Sequence, residues 1–246
     1  MPIIFDEIKH AKEVIEHGTQ TVRNKNFELQ LVANYLRKEG YSDIDIEEEL
    51  HRISKKYFKD YNRIKMYNSI DKKVKKSKKA IPKIAYPVKI YQEEIDIILS
   101  EDSIKCQKLM FVYLVLAKYY MSNVHSDKYY VGCKDNDIFK LCDMYVRKQE
   151  KLDLMHYLTK KGYITPTLSM SSIVNYVKED GEVVLEIIPD QNMIYYFEKE
   201  YLDGIFINCE ICGKLVKKTN NRIKYCKKCA QEVNKTKTLS NTYSEF

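Results

Sequence analysis

Ile104-Lys105-Cys106-Gln107-Lys108-Leu109-Met110-Phe111-Val112-Tyr113-Leu114-Val115-Leu116-Ala117-Lys118-Tyr119-Tyr120-Met121-Ser122-Asn123-Val124 is the stretch from which the fold is read. Its middle, Met110 to Ala117, is apolar on every side of a helical projection, so a helix here belongs at the centre of a core. Eight apolar residues fall far short of the roughly 20 needed to cross a bilayer. The chain is therefore expected to be globular, with no membrane partner.

Downstream, Tyr129-Tyr130-Val131 reads as a short strand. Asp135-Asn136-Asp137 can cap a helix from Ile138 to Met144, and a further helix runs from about Arg147 to Lys161 and stops at Gly162. Strands are expected at Tyr163-Ile164-Thr165 and at 173–177. The turn Glu179-Asp180-Gly181-Glu182 carries a hairpin signal that would pair the second of these with Val183 to Ile188.

Helix, strand, two helices and a hairpin is the order of a winged helix-turn-helix. The passage from Asp137-Ile138-Phe139-Lys140-Leu141-Cys142 to Lys160-Lys161-Gly162-Tyr163-Ile164 resembles that family's helix pair running into its wing, and the resemblance covers about 105–188. It implies that the second helix of the pair enters a DNA major groove, presenting Arg147, Lys148, Gln149 and Lys151. Against this, residues 90–204 carry a net charge of −6 and the expected wing tip is acidic. This domain is read either as a DNA contact or as the docking face for a host or phage protein.

The tail holds the strongest motif: Cys209-Glu210-Ile211-Cys212-Gly213, then Tyr225-Cys226-Lys227-Lys228-Cys229. Two residues between paired thiolates let one tight turn aim both sulfurs at a single ion, and two such turns complete a tetrahedron. The four cysteines are expected to bind Zn2+ in a structural site with no open position. Strands at Lys214–Thr219 and Arg222–Tyr225, joined at Asn220-Asn221, and a helix from Lys227 to Lys235 would complete a module resembling a treble clef or zinc ribbon. Lys217, Lys218, Arg222 and Lys224 are its candidate nucleic-acid contacts; the alternative is a stapled terminus that docks on protein. Cys106, Cys133, Cys142, His125 and His156 lack metal-ligand spacing and are read as ordinary thiols and histidines.

Upstream, Phe5, Ile8, Val14 and Ile15 predict a helix over 5–17 that ends at Gly18. Helices through Phe27 to Leu36 and from Ser42-Asp43 to Phe58 predict a helical hairpin. Residues 52–89 then carry 14 basic and 2 acidic side chains, a net +12 that peaks at Lys72-Lys73-Val74-Lys75-Lys76-Ser77-Lys78-Lys79. Charges at this density repel, so Lys72, Lys73, Lys75, Lys76, Lys78 and Lys79 are read as a frayed strap, either gripping a phosphate backbone or merely solvated. Lysine outnumbers arginine 36 to 6, a bias that AT-rich codons would produce unaided.

The fold class expected is α+β, mainly α: a helical domain over 1–80 ending in the strap, a linker over 81–90 marked by Pro82 and Pro87, a winged-helix-like domain over 91–200, and the zinc module over 201–246. No glycine pattern supplies a phosphate loop or dinucleotide turn, and no nucleophile with an oriented base stands out, so catalysis is not expected. Seven cysteines and no basic signal segment point to the cytosol of a bacterial host and to reduced thiols. Together the modules look like DNA-binding accessory or regulatory proteins of bacteriophages and mobile elements in low-GC bacteria. That likeness implies a partner that is DNA or RNA, or else a host machine, including a defence nuclease, that is bound or inhibited.

Overall fold

The computed structural model describes residues 3–19, 24–124, 128–168 and 171–234. The fold is α+β and mainly α, in two compact units, Ile4–Ala85 and the chain from Tyr86 onward. Among the described residues no helix is long and apolar enough to cross a membrane.

The first unit is four helices. α1 (Glu7–His17) begins at Asp6, whose carboxylate accepts from the Lys9 amide at 2.8 Å. It ends at Gly18, which adopts φ +85° and packs so closely that an added Cβ would lie 2.5 Å from the Tyr57 ring. α2 (Lys25–Lys38) leads to α3 (Asp43–Tyr57), opened by a reciprocal Ser42–Asp45 capping box. α4 (Arg63–Ser77) starts on the Asn62 side chain. Val14, Leu29, Val32, Leu36, Ile46, Leu50, Ile53, Ile70 and Val74 form the core.

α4 corrects the reading of 72–79 as a frayed strap. Met66, Ile70, Val74 and Ser77 recur at helical spacing along α4 and into the lysine run, and Ile70, Val74 and Ser77 are buried. That apolar stripe anchors the helix on α2 and α3, and burying it outweighs lysine repulsion that water screens.

The second unit opens with β1 (Val88–Tyr91) and α5 (Gln92–Leu99), followed by α6 (Ile104–Val124), in which every residue from Leu109 to Tyr120 is buried. Then come β2 (Tyr130–Val131), α7 (Asp135–Leu141), α8 (Lys148–Lys160), β3 (Ile164–Pro166) and β4 (Ser172–Val174). β4 lies between β2 and β3, antiparallel to both. β5 (Val183–Ile187) and α9 (Ile194–Tyr201) follow, and Phe197 of α9 stacks on Phe111 of α6 with ring centroids 4.9 Å apart. β6 (Phe206–Asn208) and β7 (Leu215–Lys217) lead to a closing helix over 227–234; Lys235, placed in that helix from sequence, lies outside the described residues.

Two expectations are corrected here. The hairpin at Asp180-Gly181 does not form: β5 pairs with β1 in register Val88↔Ile187 and Ile90↔Leu185, and β4 pairs with β3 instead. Residues 175–182 instead cross between the two sheets, held by the Tyr176 hydroxyl on the Met110 carbonyl at 2.6 Å and by the Tyr91 hydroxyl on the Glu179 carbonyl at 2.9 Å. For the same reason 81–90 is not all linker, since β1 begins at Val88. Val88 and Ile90 point inward and are buried, so that short strand earns its place in the core.

The buried carboxylate of Glu94 secures this corner. Its Oε2 accepts from Lys118 Nζ at 2.7 Å and from the Tyr91 amide at 2.9 Å, while its Oε1 accepts from the Lys178 amide at 2.7 Å. Lys118, the one cation within the buried run Leu109–Tyr120 of α6, is thereby neutralised where it is buried.

Candidate metal centre and nucleic-acid interface

The Sγ atoms of Cys209, Cys212, Cys226 and Cys229 all lie within 4.8 Å of one another, and those of Cys212 and Cys226 are 3.7 Å apart. Four sulfurs at about 2.3 Å from a central ion would be roughly 3.8 Å apart along a tetrahedral edge. The four cysteines can therefore hold one metal ion. Local backbone makes this possible: the Gly213 amide donates to the Cys209 carbonyl at 2.9 Å, and the Cys209 amide donates to the Lys214 carbonyl at 2.8 Å. Gly213 takes φ +70° with open space where a side chain would stand, the left-handed residue that such a turn requires.

Burial pushes the Cys209 thiol up, but backbone N–H groups of Cys226, Cys212 and Ile211 outweigh it and bring the group down to about 6. Cys229 goes the other way, raised by burial and by the sulfurs of Cys226, Cys212 and Cys209. Four thiolates this close cannot all be charged on their own; a bound cation removes the conflict and deprotonates the ligands outright.

The supporting sheet differs from the expected one. β7 pairs with β6, in register Phe206↔Lys217 and Asn208↔Leu215, and Arg222–Tyr225 is not a strand. Its role is filled by one backbone contact, the Glu210 amide on the Lys224 carbonyl at 3.1 Å, which brings the second cysteine pair to the first.

The candidate contact residues separate into those already engaged and those left exposed. Lys217 binds Glu198 of α9 at 2.8 Å and lies 3.8 Å from Asp143; Lys108 of α6 pairs with the same Glu198. Lys217, though partly solvated, therefore ties the cysteine module to its own unit. Lys224 is 3.7 Å from Glu210. Lys218, Arg222, Lys227 and Lys228 have no ion-pair partner among the described residues, and all but the half-buried Lys218 are exposed.

On α8, Arg147, Lys148 and Gln149 are exposed at the start of the helix, with Gln149 bonded to Asp153 at 2.9 Å. Lys151 turns back to α7, its Nζ on Asn136 at 2.7 Å and over the Phe139 ring. In α4 and the two residues that follow it, Lys75 pairs with Asp71 at 2.8 Å, Lys78 pairs with Asp43 at 2.6 Å, and Lys73 is buried; Lys72, Lys76 and Lys79 remain exposed.

Glu198 was not singled out from sequence, nor was Glu101. The latter accepts from the Tyr157 and Tyr163 hydroxyls at 2.6 and 2.7 Å and so ties the start of α6 to α8 and β3. Each is one acid among many in a chain that is 31% charged, and only the fold reveals its partners. Burial pushes Cys133 up to about 12 and Cys142 well up, so both stay protonated, inert thiols. His156 is exposed and His125 lies outside the described residues. Compared with known protein families, curated proteins and solved structures, the chain matches none.

Proposed function

We propose that the four cysteines hold zinc as a structural centre and that the chain binds nucleic acid without catalysing a reaction on it, as a replication accessory or regulatory factor of a bacteriophage or mobile element. The observation that carries this reading is the arrangement around α8. A helix, a strand and a helix pair feed the β3–β4 hairpin, with strand order β2-β4-β3. This is the order of a winged helix-turn-helix, whose second paired helix is the groove-reading one. Arg147, Lys148 and Gln149 open that helix exposed.

Zinc is favoured over other ions because four thiolates in a tetrahedron suit it, and because four ligands leave no site for water or substrate. The metal would brace the segment that carries Lys218, Arg222, Lys227 and Lys228. With Arg147 and Lys148 these make six cations, and six phosphate contacts correspond to a log–log salt slope of about −5 on duplex DNA.

Fluorescence anisotropy with the zinc-loaded protein and a labelled duplex tests the reading. Affinity should fall roughly a thousandfold between about 50 and 200 mM salt. Arg147→Ala with Lys148→Ala should flatten the slope by about two. Absence of binding to both duplex and single strands at the low-salt end would overturn the proposal.

One observation favours a protein partner instead. Tyr145, before α8, is 91% exposed, and Leu152 on α8 and Leu168 in the β3–β4 hairpin are exposed as well. Apolar groups grouped on one supersecondary unit suit a protein contact, such as a host machine held or inhibited. Salt-insensitive capture of a protein, lost in Tyr145→Ser with Leu152→Ser, would select that reading.

A further inference from the structure

The first unit contains a cavity of about 350 Å³ between α2 and α4, lined by Asn26, Phe27, Ser69, Lys72, Lys73 and Lys76, together with Gln30. Its sequence logic is simple. Residues 69, 72, 73 and 76 share one face of α4, and residues 26, 27 and 30 share one face of α2. No acidic residue lines it.

Lys73 is the telling group, because it is only 7% exposed yet has no carboxylate partner among the described residues. The other buried lysine, Lys118, is neutralised by Glu94. Lys73 Nζ has three neutral acceptors: Ser69 Oγ at 2.7 Å, Asn26 Oδ1 at 3.1 Å and the Ser69 carbonyl at 3.2 Å. Burial and the neighbouring Lys76 both push its pKa down, so the ammonium is held at a cost that an anion would relieve.

The same bonds prepare donors for a ligand. Ser69 Oγ accepts from Lys73 and gives its own hydrogen to Asn26 Oδ1 at 3.5 Å, a long bond that a phosphate oxygen at normal distance would replace. With Oδ1 occupied by Lys73, the Asn26 amide has its N–H groups to offer. Lys72 and Lys76 are exposed, with no ion-pair partner among the described residues, and Phe27 shows 37% of its surface.

Three cations, a hydroxyl and an amide around one concavity match a doubly charged oxyanion, and a partly exposed ring beside them matches a planar group. We propose that this cavity binds the phosphomonoester of a nucleotide, free or at the 5′ end of a strand, with the phosphate among Ser69, Lys72, Lys73 and Lys76 and the base against Phe27. The site lies in the first unit and does not depend on the duplex contacts assigned to α8 and the tail.

Calorimetric titration of the full zinc-loaded chain with AMP, adenosine and inorganic phosphate tests it, alongside paired single strands that differ only in a 5′-phosphate or 5′-hydroxyl. AMP should bind at least about tenfold more tightly than adenosine, the equivalent of one charge-assisted hydrogen bond. Preference for the phosphorylated strand assigns the site to strand ends; AMP binding without that preference assigns it to free nucleotide. Lys72→Gln with Lys76→Gln should lower AMP affinity by a similar factor. Lys73→Met should abolish binding while leaving the melting temperature unchanged or raised, as removal of an uncompensated buried charge requires and as loss of a merely structural lysine would not. Equal affinity for AMP and adenosine, or AMP affinity untouched by the Lys72 and Lys76 changes, would overturn the proposal even if duplex binding persists.

Discussion

Glu198 is where the cysteine module meets the body of its unit, and replacing it tests how that module is held. Its side chain is 4% exposed and lies between Lys108, 15% exposed, and Lys217, 38% exposed. Glu198→Gln keeps the shape and removes the charge. Lys108 is then left nearly buried without a carboxylate, a change that costs about 3–5 kcal/mol for fully buried pairs. Lys217 adds little, because it is partly solvated and retains Asp143 at 3.8 Å. The lower end, about 3 kcal/mol, is therefore expected, or roughly 6–12 °C in melting temperature for a unit of this size. Urea denaturation of the zinc-loaded protein measures it. The double replacement Glu198→Leu with Lys108→Met should recover most of the loss, since a packed apolar pair needs no compensation. A loss below about 1 kcal/mol, or a double variant no more stable than Glu198→Gln, would refute the view that this carboxylate neutralises a buried cation.

Chelation of the metal should unfold the segment around 206–234 while the rest of the second unit keeps its cooperative transition, because metal supplies about 10–16 kcal/mol of apparent folding energy in such modules; limited proteolysis and elemental analysis giving one zinc per chain would check it, and Cys209→Ser should behave as the chelated protein does. Glu101 is pushed up by burial but held below the usual glutamate value of 4.5 by the Tyr157 and Tyr163 hydroxyls and Lys161. The unfolded chain then binds the extra proton, so this stabilisation is complete above about pH 4.5 and is lost as the pH falls through the lower folded value; Glu101→Gln should flatten that part of the stability profile. Gly18→Ala should destabilise the first unit by about 1–3 kcal/mol, from positive φ and overlap with Tyr57, and a melting temperature equal to the parent's would contradict the packing described.

What could be read in advance was local. α6 is legible because apolar residues on every side leave no other place for it, and α3 is legible because Ser42-Asp43 opens a run of apolar residues at helical spacing. The cysteine cluster is legible because its four thiols come as two pairs, each closed by one turn. What could not be read was pairing at a distance. β5 is apolar and follows the Asp-Gly of a hairpin, yet its partner is β1, 99 residues earlier in the register Val88↔Ile187. Nothing local distinguishes those two choices; they are decided by which one lets Val88, Ile90 and Ile187 close the core over α6. α4 was hidden differently, because eight consecutive residues rich in lysine mask a period set by only Ile70, Val74 and Ser77.

Charge is the property that sequence reports most plainly and structure revises most. In α4 the run of lysines divides by helical angle into Lys75 and Lys78, spent on Asp71 and Asp43, and Lys72, Lys73 and Lys76, which converge on one cavity without an acid. In the tail, Lys217 is drawn into Glu198, and this very loss fixes the module that carries Lys218, Arg222, Lys227 and Lys228. A net charge of +12 or +6 over a segment therefore says little about where an anion would sit. The informative quantity is the set of cations whose carboxylate partners the fold withholds. By that measure the proposed sites are a concave one in the first unit and, in the second, the cations beside the four cysteines, and these differ in the ligand they suit. A cavity walled by two helices selects a terminal phosphate, whereas exposed cations on a small knob suit a continuous backbone. Competition tests their independence: saturating AMP should leave duplex affinity unchanged, and a shift of more than a few-fold would contradict two separate sites.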